Sequence, residues 1–188
     1  MPFFETGFPG LVVFEPAVFE DARGYFFESY NQNVFSQFGI NTRFVQDNQS
    51  SSEYGVIRGL HFQAPPYAQS KLIRVLSGNI LDVGVDIRLG SATYGKVFCI
   101  ELSGENKKQL YLPKGFAHGF SVLSDKTEVL YKCDAFYNKQ SEQGILFNDP
   151  DLAIDWQVAA DKRKVSEKDL TNKRFTDLKS DFIFGDSN

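Results

Sequence analysis

Ile80-Leu81-Asp82-Val83-Gly84-Val85-Asp86-Ile87-Arg88 carries the clearest periodicity in the chain. Side chains alternate across a strand, so Leu81, Val83, Val85 and Ile87 share one face while Asp82, Gly84 and Asp86 share the other. The segment predicts a strand with one apolar and one polar face. In an ordinary antiparallel sandwich the polar face meets solvent, whereas in a ligand-holding barrel it lines the lumen. The alternation alone leaves both readings open.

Outward from this strand, short apolar runs recur between glycine, proline and asparagine turns: Leu11-Phe14, Tyr25-Ser29, Val56-Phe62, Leu72-Leu76, Val97-Leu102, Gln109-Leu112, Gly119-Leu123, Val129-Cys133 and Ile145-Phe147. Many short strands at this spacing predict a mainly β fold, an antiparallel sandwich or barrel. Ser77-Gly78-Asn79 reads as a tight hairpin, because glycine and asparagine tolerate the positive φ such turns use. One helix is expected from about Asn31 to Phe38, closed by Gly39. Beyond Trp156 the alternation fades, and Ser166 followed three residues later by Asp169 predicts the start of a small C-terminal helical segment. With no internal repeat or low-complexity stretch, residues 1–188 are expected to form one domain.

The chain has 188 residues, 42% of them hydrophobic, enough for a sizeable core. Nineteen phenylalanines and eight tyrosines against one methionine fit a strand-rich fold with a rigid aromatic interior. A net charge of -4 argues against general nucleic-acid binding, which needs a clustered basic face. No secretory signal pattern opens the sequence and no apolar run is long enough to span a bilayer, so the expectation is a cytoplasmic protein without membrane attachment. Cys99 and Cys133 have no metal-type spacing and are expected to be buried free thiols.

Only two histidines are present, His61 in Arg58-Gly59-Leu60-His61-Phe62-Gln63 and His118 in Pro113-Lys114-Gly115-Phe116-Ala117-His118-Gly119-Phe120. Histidine titrates near neutral pH, at about 6.5, and is a common group for proton transfer; a lone histidine among apolar residues is also commonly a hydrogen-bonded core residue. Around His61, Arg58, Gln63, Gln69 and Lys71 suit a polar, anionic ligand. Arg23 and Arg58 are phosphate candidates, because guanidinium offers paired donors to phosphate oxygens. Strand parity puts Lys71 and Arg74 on opposite faces, so at most one enters a given pocket. A metal needs three or four suitable ligands, and Phe62-Gln63 follows His61 where a metal-binding barrel would place a further histidine, so no metal is expected. Phosphate-cradling loops of the P-loop or dinucleotide type and a serine-hydrolase elbow are also missing.

Several ordered motifs together resemble one family. Phe14-Glu15-Pro16, Asp21-Ala22-Arg23-Gly24-Tyr25-Phe26-Phe27-Glu28-Ser29, Phe44-Val45-Gln46-Asp47-Asn48, the His61 and His118 segments, Asp82 to Arg88, Tyr131-Lys132, Asn148-Asp149-Pro150 and Ser166-Glu167-Lys168-Asp169 are similar to those of dTDP-4-dehydrorhamnose 3,5-epimerases. The resemblance implies a cupin-type jelly roll that needs no cofactor and forms a homodimer with exchanged N-terminal strands. It implies conversion of dTDP-4-keto-6-deoxy-D-glucose to dTDP-4-keto-L-rhamnose. His61 would be the base, Asp169 its partner, Tyr131 the acid on the opposite face, and Lys71 the cation at the keto oxygen. Arg23 and Arg58 would hold the diphosphate and Tyr137 would stack on thymine, with Glu28, Gln46, Asn48, His118, Glu142 and Lys168 lining the nucleotide-sugar site. Tyr25 stands where phenylalanine is common, and Ala64-Pro65-Pro66-Tyr67 occupies a variable loop. Alternatives are an epimerase acting at a single carbon of a related sugar, a non-catalytic nucleotide-sugar-binding barrel, and a metal-dependent cupin oxygenase.

Overall fold

The computed structural model describes residues 2–185. In chain order the elements are β1 (Phe3–Glu5), β2 (Val12–Phe14), β3 (Phe19–Asp21), β4 (Gly24–Phe26), α1 (Gln32–Gln37), β5 (Gln46–Glu53), β6 (Val56–Gln63), β7 (Lys71–Ser77), β8 (Asn79–Asp86), β9 (Val97–Ser103), β10 (Gln109–Leu112), β11 (Phe116–Val122), β12 (Lys126–Cys133), β13 (Glu142–Gly144), β14 (Lys164–Val165) and α2 (Glu167–Leu170). One sheet runs β1-β2-β10-β7-β12-β5 and the other β13-β6-β11-β8-β9, with β14 added parallel to β6; β3 and β4 form a separate hairpin. This is a cupin-like jelly roll. Among the described residues no helix is long and apolar enough to cross a membrane.

The β8 alternation is real, but both of its faces are buried. Ile80 joins the cluster between the sheets with Ile73, Leu110, Leu112, Phe116 and Phe120. A Cβ on Gly84 would meet Leu112 and Phe116, so the Asp82–Gly84 face looks into the barrel. Leu81, Val83, Val85 and Ile87 point outward and are covered by Ile145, Phe147, Leu152, Trp156 and Phe182. The C-terminal segment thus serves as an outer layer, fastened where the Trp156 indole donates to the Phe147 carbonyl at 2.7 Å and Ser121 Oγ donates to the Trp156 carbonyl at 2.7 Å. The solvent reading of the polar face is therefore excluded. Each large apolar side chain removed from water here contributes about 1.5–3 kcal/mol, which accounts for a long tail that has only short helical turns yet stays packed.

On the first sheet, α1 covers the outer face through Phe35, which packs with Phe3, Phe14 and Leu72. Asn31 Oδ1 accepts from the Asn33 amide as the N-cap, and Gly39 follows with φ +90°, as the sequence predicts.

Three expectations fail. Ser77-Gly78-Asn79 is no hairpin, because β7 and β8 belong to different sheets; the turn hands the chain across the barrel. Glycine is required there, since a Cβ on Gly78 would lie 2.4 Å from the Lys126 carbonyl oxygen. Ile145-Phe147 contributes a single bridge, the neighbouring strand being β13. Of the two thiols, Cys133 is buried and Cys99 is exposed on β9, an edge strand with one unpaired side.

The interior changes character along the strands. Passing from Ile73 to Lys71, Val129 to Tyr131, Ile80 to Asp82 and Phe120 to His118, each step of two residues exchanges an apolar side chain for a polar one on the same face. One end of the barrel is thus a closed apolar plug and the other a polar cavity. On β6 a register shift adds a residue: His118 pairs His61, but Phe120 pairs Arg58. In a regular strand Arg58 and His61 would face opposite ways, and the extra residue turns both inward. Gly59 makes this possible, with φ +125° and space so tight that a Cβ would sit 2.5 Å from Gly119 Cα. Gly59→Ala should lower stability by about 3 kcal/mol through strain and overpacking, read as an earlier urea midpoint; an unchanged midpoint would contradict this packing.

Candidate active site

The polar end of the barrel opens into a cavity of about 500 Å³, a size suited to a small-molecule site. His61 from β6 and His118 from β11 come from one sheet, Lys71 from β7 and Tyr131 from β12 from the other, and Asp169 from α2 joins them in its wall.

His61 Nε2 and Asp169 Oδ1 are 2.5 Å apart. The Ser166 hydroxyl caps α2 by accepting from the Asp169 amide at 3.2 Å, and the other Asp169 oxygen accepts from the Gly59 amide at 3.3 Å. Burial works to raise the Asp169 pKa, but the hydrogen bond from His61 and those from Gly59 and Ser166 bring it below the ordinary carboxylate value. A carboxylate at Nε2 assigns the Nε2–H tautomer to neutral His61, leaving Nδ1 as the proton acceptor. Asp169 side-chain exposure is 4% against 30% for His61, so the carboxylate is sequestered while the imidazole remains reachable.

Burial pushes the Tyr131 phenol above its usual pKa, with Cys133 adding to the rise and Arg58 opposing it. Tyr131 therefore stays protonated at neutral pH and can donate. Burial lowers the Lys71 pKa, partly offset by Cys133, Asp82 and Glu142. Its Nζ lies 6.0 Å from the centre of the Tyr131 ring. The Cys133 thiol beside them is pushed by burial up to about 11, so it is neutral. His118 donates Nε2–H to Asp82 Oδ1 at 2.7 Å. Burial holds its pKa down despite Asp82, and it sits in the site as a neutral ring.

Arg58 lines the cavity with its guanidinium held by two hydrogen bonds, 3.2 and 3.1 Å, to Ser52 Oγ. A connected polar rim follows. Lys168 Nζ pairs with Glu142 Oε2 at 2.5 Å, the Tyr137 hydroxyl donates to the same oxygen at 2.8 Å, and the Tyr137 amide donates to Gln46 Oε1 at 3.0 Å. Gln46 Nε2 in turn donates to Asn48 Oδ1 at 3.0 Å. The Tyr137 ring is 55% exposed, free to receive a flat partner.

Arg23 and Glu28 are not brought to this cavity by the fold of the chain. Arg23 is exposed at the β3–β4 hairpin and pairs with Asp21, while Glu28 Oε1 accepts from Asn31 Nδ2 at 3.1 Å. Sequence reasoning missed Ser50, Ser52, Phe120 and Val165. Ser50, Phe120 and Val165 line the cavity and Ser52 holds Arg58. The clue to the serines was the period-two series Gln46, Asn48, Ser50, Ser52, hidden by the lack of any apolar residue in β5. Arg74 leaves the barrel interior and stacks on Phe27, as parity predicts. Among the described residues no three His, Cys, Asp or Glu side chains converge as metal ligands.

Proton removal on one side of a bound carbon acid and proton return from the other is chemistry that this arrangement can perform, which puts the molecule among the cupin-type jelly-roll isomerases. The chain belongs to the dTDP-4-dehydrorhamnose 3,5-epimerase family, whose model matches residues 5–177. It is 49% identical over 178 residues to the Shigella flexneri dTDP-4-dehydrorhamnose 3,5-epimerase, covering 94% of this chain and 97% of that relative. The crystal structure of the enzyme of that name from Elizabethkingia anophelis superposes with a TM-score of 0.90 at 50% identity, covering 93% of this chain and 96% of the other. A 3,5-epimerase from Legionella pneumophila in complex with dTDP-4-keto-L-rhamnose gives 0.90 at 45% identity, covering 94% and 93%.

Proposed function

We propose that this single-domain isomerase epimerises dTDP-4-keto-6-deoxy-D-glucose at C3 and C5 to dTDP-4-keto-L-rhamnose. The observation that carries the reading is that a carboxylate-backed histidine and a protonated tyrosine approach one cavity from opposite sheets, with a lysine beside the tyrosine.

The C4 carbonyl acidifies the adjacent C–H bonds. His61 Nδ1 takes the proton from one carbon, the electron pair moves into the C4 carbonyl to form an enolate, and Asp169 stabilises the resulting imidazolium. The Lys71 ammonium holds the enolate oxygen as charge develops there. Tyr131 returns a proton to the same carbon from the other face, inverting it; His61 then gives its proton to solvent and Tyr131 regains one from solvent, and the cycle repeats at the second carbon. Electrons never leave the substrate, so the scheme calls for no redox cofactor. Arg58 takes the diphosphate, Tyr137 stacks on thymine, and Gln46, Asn48, His118, Glu142 and Lys168 line the rest.

Arg23 and Glu28 join the site from a second copy of the chain, through exchange of N-terminal strands in a homodimer. The support is the β3–β4 hairpin, which lies off both sheets and exposes Phe19, Tyr25 and Phe26 by 58–68% of their surface. Arg23→Ala should raise KM about tenfold with little change in kcat, as loss of uniform phosphate binding does. Mixing Arg23→Ala subunits with inactive His61→Ala subunits should restore wild-type KM at one site per mixed dimer. Sites that stay additive after subunit exchange would rule out a shared site.

A further inference from the structure

Residues 134–141 join β12 to β13 and carry Tyr137 on the polar rim, outside both sheets. A loop without a ladder for its amides and carbonyls must find them other partners or stay mobile. Here glutamine side chains supply the partners. Gln69 Nε2 donates to the Ala135 carbonyl at 2.7 Å and Gln63 Nε2 to the Phe136 carbonyl at 3.3 Å. The Tyr137 amide donates to Gln46 Oε1 at 3.0 Å, and the Asn138 amide to Gln63 Oε1 at 2.7 Å. Successive residues from Ala135 to Asn138 are each gripped by a side chain from elsewhere in the fold.

Gln63 is the centre of this clamp. It stands two residues beyond His61 on the same face of β6, is 4% exposed, and its Nε2 also donates to the Tyr67 carbonyl at 2.7 Å. Both N–H groups and the side-chain oxygen are therefore committed to backbone. So close to His61 a carboxamide would be a natural substrate contact, yet this one has no donor left to offer. Its orientation is fixed as well, because turning it over would set the NH2 against the Asn138 amide and the oxygen against two carbonyls.

We propose that Gln63 is a positioning residue for nucleotide recognition, fastening the residues on both sides of Tyr137 so that the ring is already in its stacking pose before the nucleotide arrives. The inference rests on the assignment of Tyr137 to thymine above. The ring is also held at its tip, since the Tyr137 hydroxyl donates to Glu142 Oε2 at 2.8 Å, and Glu142 pairs with Gln63 across β13 and β6. An exposed tyrosine on a free loop would lose rotamer and backbone freedom each time a base stacked on it, whereas one fixed at backbone and hydroxyl has lost that freedom on folding. The strand that carries His61 therefore also sets where thymine is received, and so fixes the span from thymine to the reacting sugar.

Gln63→Met keeps the length of the side chain and removes its three hydrogen bonds. Titration calorimetry is expected to show dTDP binding about tenfold weaker, the scale of reordering one side chain and its loop, with inorganic pyrophosphate bound within about twofold of wild type. Pyrophosphate is spared because Arg58 is held separately by Ser52. In a Tyr137→Ala background, Gln63→Met should cost no further dTDP affinity, since both changes act on one contact. Equal loss of dTDP and pyrophosphate, an unchanged dTDP affinity with only a lower Tm, or additive losses in the double variant would each make Gln63 a packing residue and overturn the proposal. Should Gln63→Met fail to fold, Gln69→Met releases the Ala135 carbonyl of the same loop from a half-buried position. It is expected to weaken dTDP about threefold and again spare pyrophosphate; an unchanged dTDP affinity there overturns the clamp. Neither readout needs turnover, so failure of the clamp is told apart from failure of the epimerase reading, which would appear as a wild-type protein inert toward the keto-sugar.

Discussion

His61→Ala is expected to lower kcat by about a thousand-fold or more, the upper range for a general base that starts the reaction, while dTDP still binds within a few-fold of wild type. The separation follows from geometry. His61 touches Asp169 and the cavity, whereas of the groups assigned to the nucleotide Arg58 is held by Ser52 and the rim from Gln46 to Lys168 by its own hydrogen bonds, without His61. His118 is poorly placed to replace it, because its ring is buried and burial holds its pKa down, whereas His61 is reachable from the cavity. The substitution also removes the main hydrogen bond holding the Asp169 pKa down. A depressed carboxylate pKa adds stability that is present above the unfolded-state value of about 3.9 and disappears as pH falls through the folded value. His61→Ala should therefore lose part of its stability at neutral pH and converge toward wild type in acid. The comparison is made by steady-state kinetics, dTDP titration calorimetry and Tm against pH. An unaffected kcat would remove His61 as the base, and loss of dTDP binding would mean that the two halves of the site are not independent.

Tyr131→Phe is expected to split the reaction. The base remains, so in deuterated water the C–H bonds beside the carbonyl should still exchange at a rate within about tenfold of wild type. Formation of the L-sugar should fall by about a hundred-fold or more, since the opposite-face donor is gone and protonation returns to the starting face. The change removes a hydroxyl and leaves the ring that packs against the interior apolar cluster, so folding should be preserved. Burial keeps this phenol protonated well above neutral pH, which suits a donor and makes it a poor base. Equal loss of exchange and of product would count against the assignment of Tyr131 as the second-face acid.

What could be read from the residues alone divides along physical lines. Period-two alternation in β8 and the apolar runs of β6, β7, β11 and β12 sufficed for a β sandwich or barrel, because those strands carry apolar residues on a buried face. The same logic could not find β5, whose eight residues are all polar: its inner face lines the cavity and its outer face is exposed. Nor could alternation say which β8 face pointed inward, since the apolar face is covered by a C-terminal segment without regular periodicity. The turn at Gly78 has the local chemistry of a hairpin, and only the sheet partners reveal that it crosses the barrel. Cys99 was misjudged because an edge strand has the same sequence pattern as a central one.

The site divides in the same way. His61 and His118 stood out by rarity, while parity separated Lys71 from Arg74 and the fold decided that Lys71 is the one in the cavity. Arg58 did not follow parity, because the register shift at Gly59 moves it to the His61 face. Asp169, more than a hundred residues from His61, had only the signature of an N-terminal helix acid. Tyr131 likewise read as strand packing. Both acquired roles through family resemblance first, and their convergence on one cavity came only from the fold. Arg23 and Glu28 lie away from the cavity, which no residue pattern in the sequence could reveal.

The most direct test of the account is ¹H NMR of the purified protein with dTDP-4-keto-6-deoxy-D-glucose in deuterated water, following the C3 and C5 signals together with the appearance of the L-sugar. The expected result is loss of both proton signals to deuterium with dTDP-4-keto-L-rhamnose accumulating. Exchange at one carbon alone would make it a single-site epimerase, and no exchange at either carbon would contradict the assigned chemistry outright.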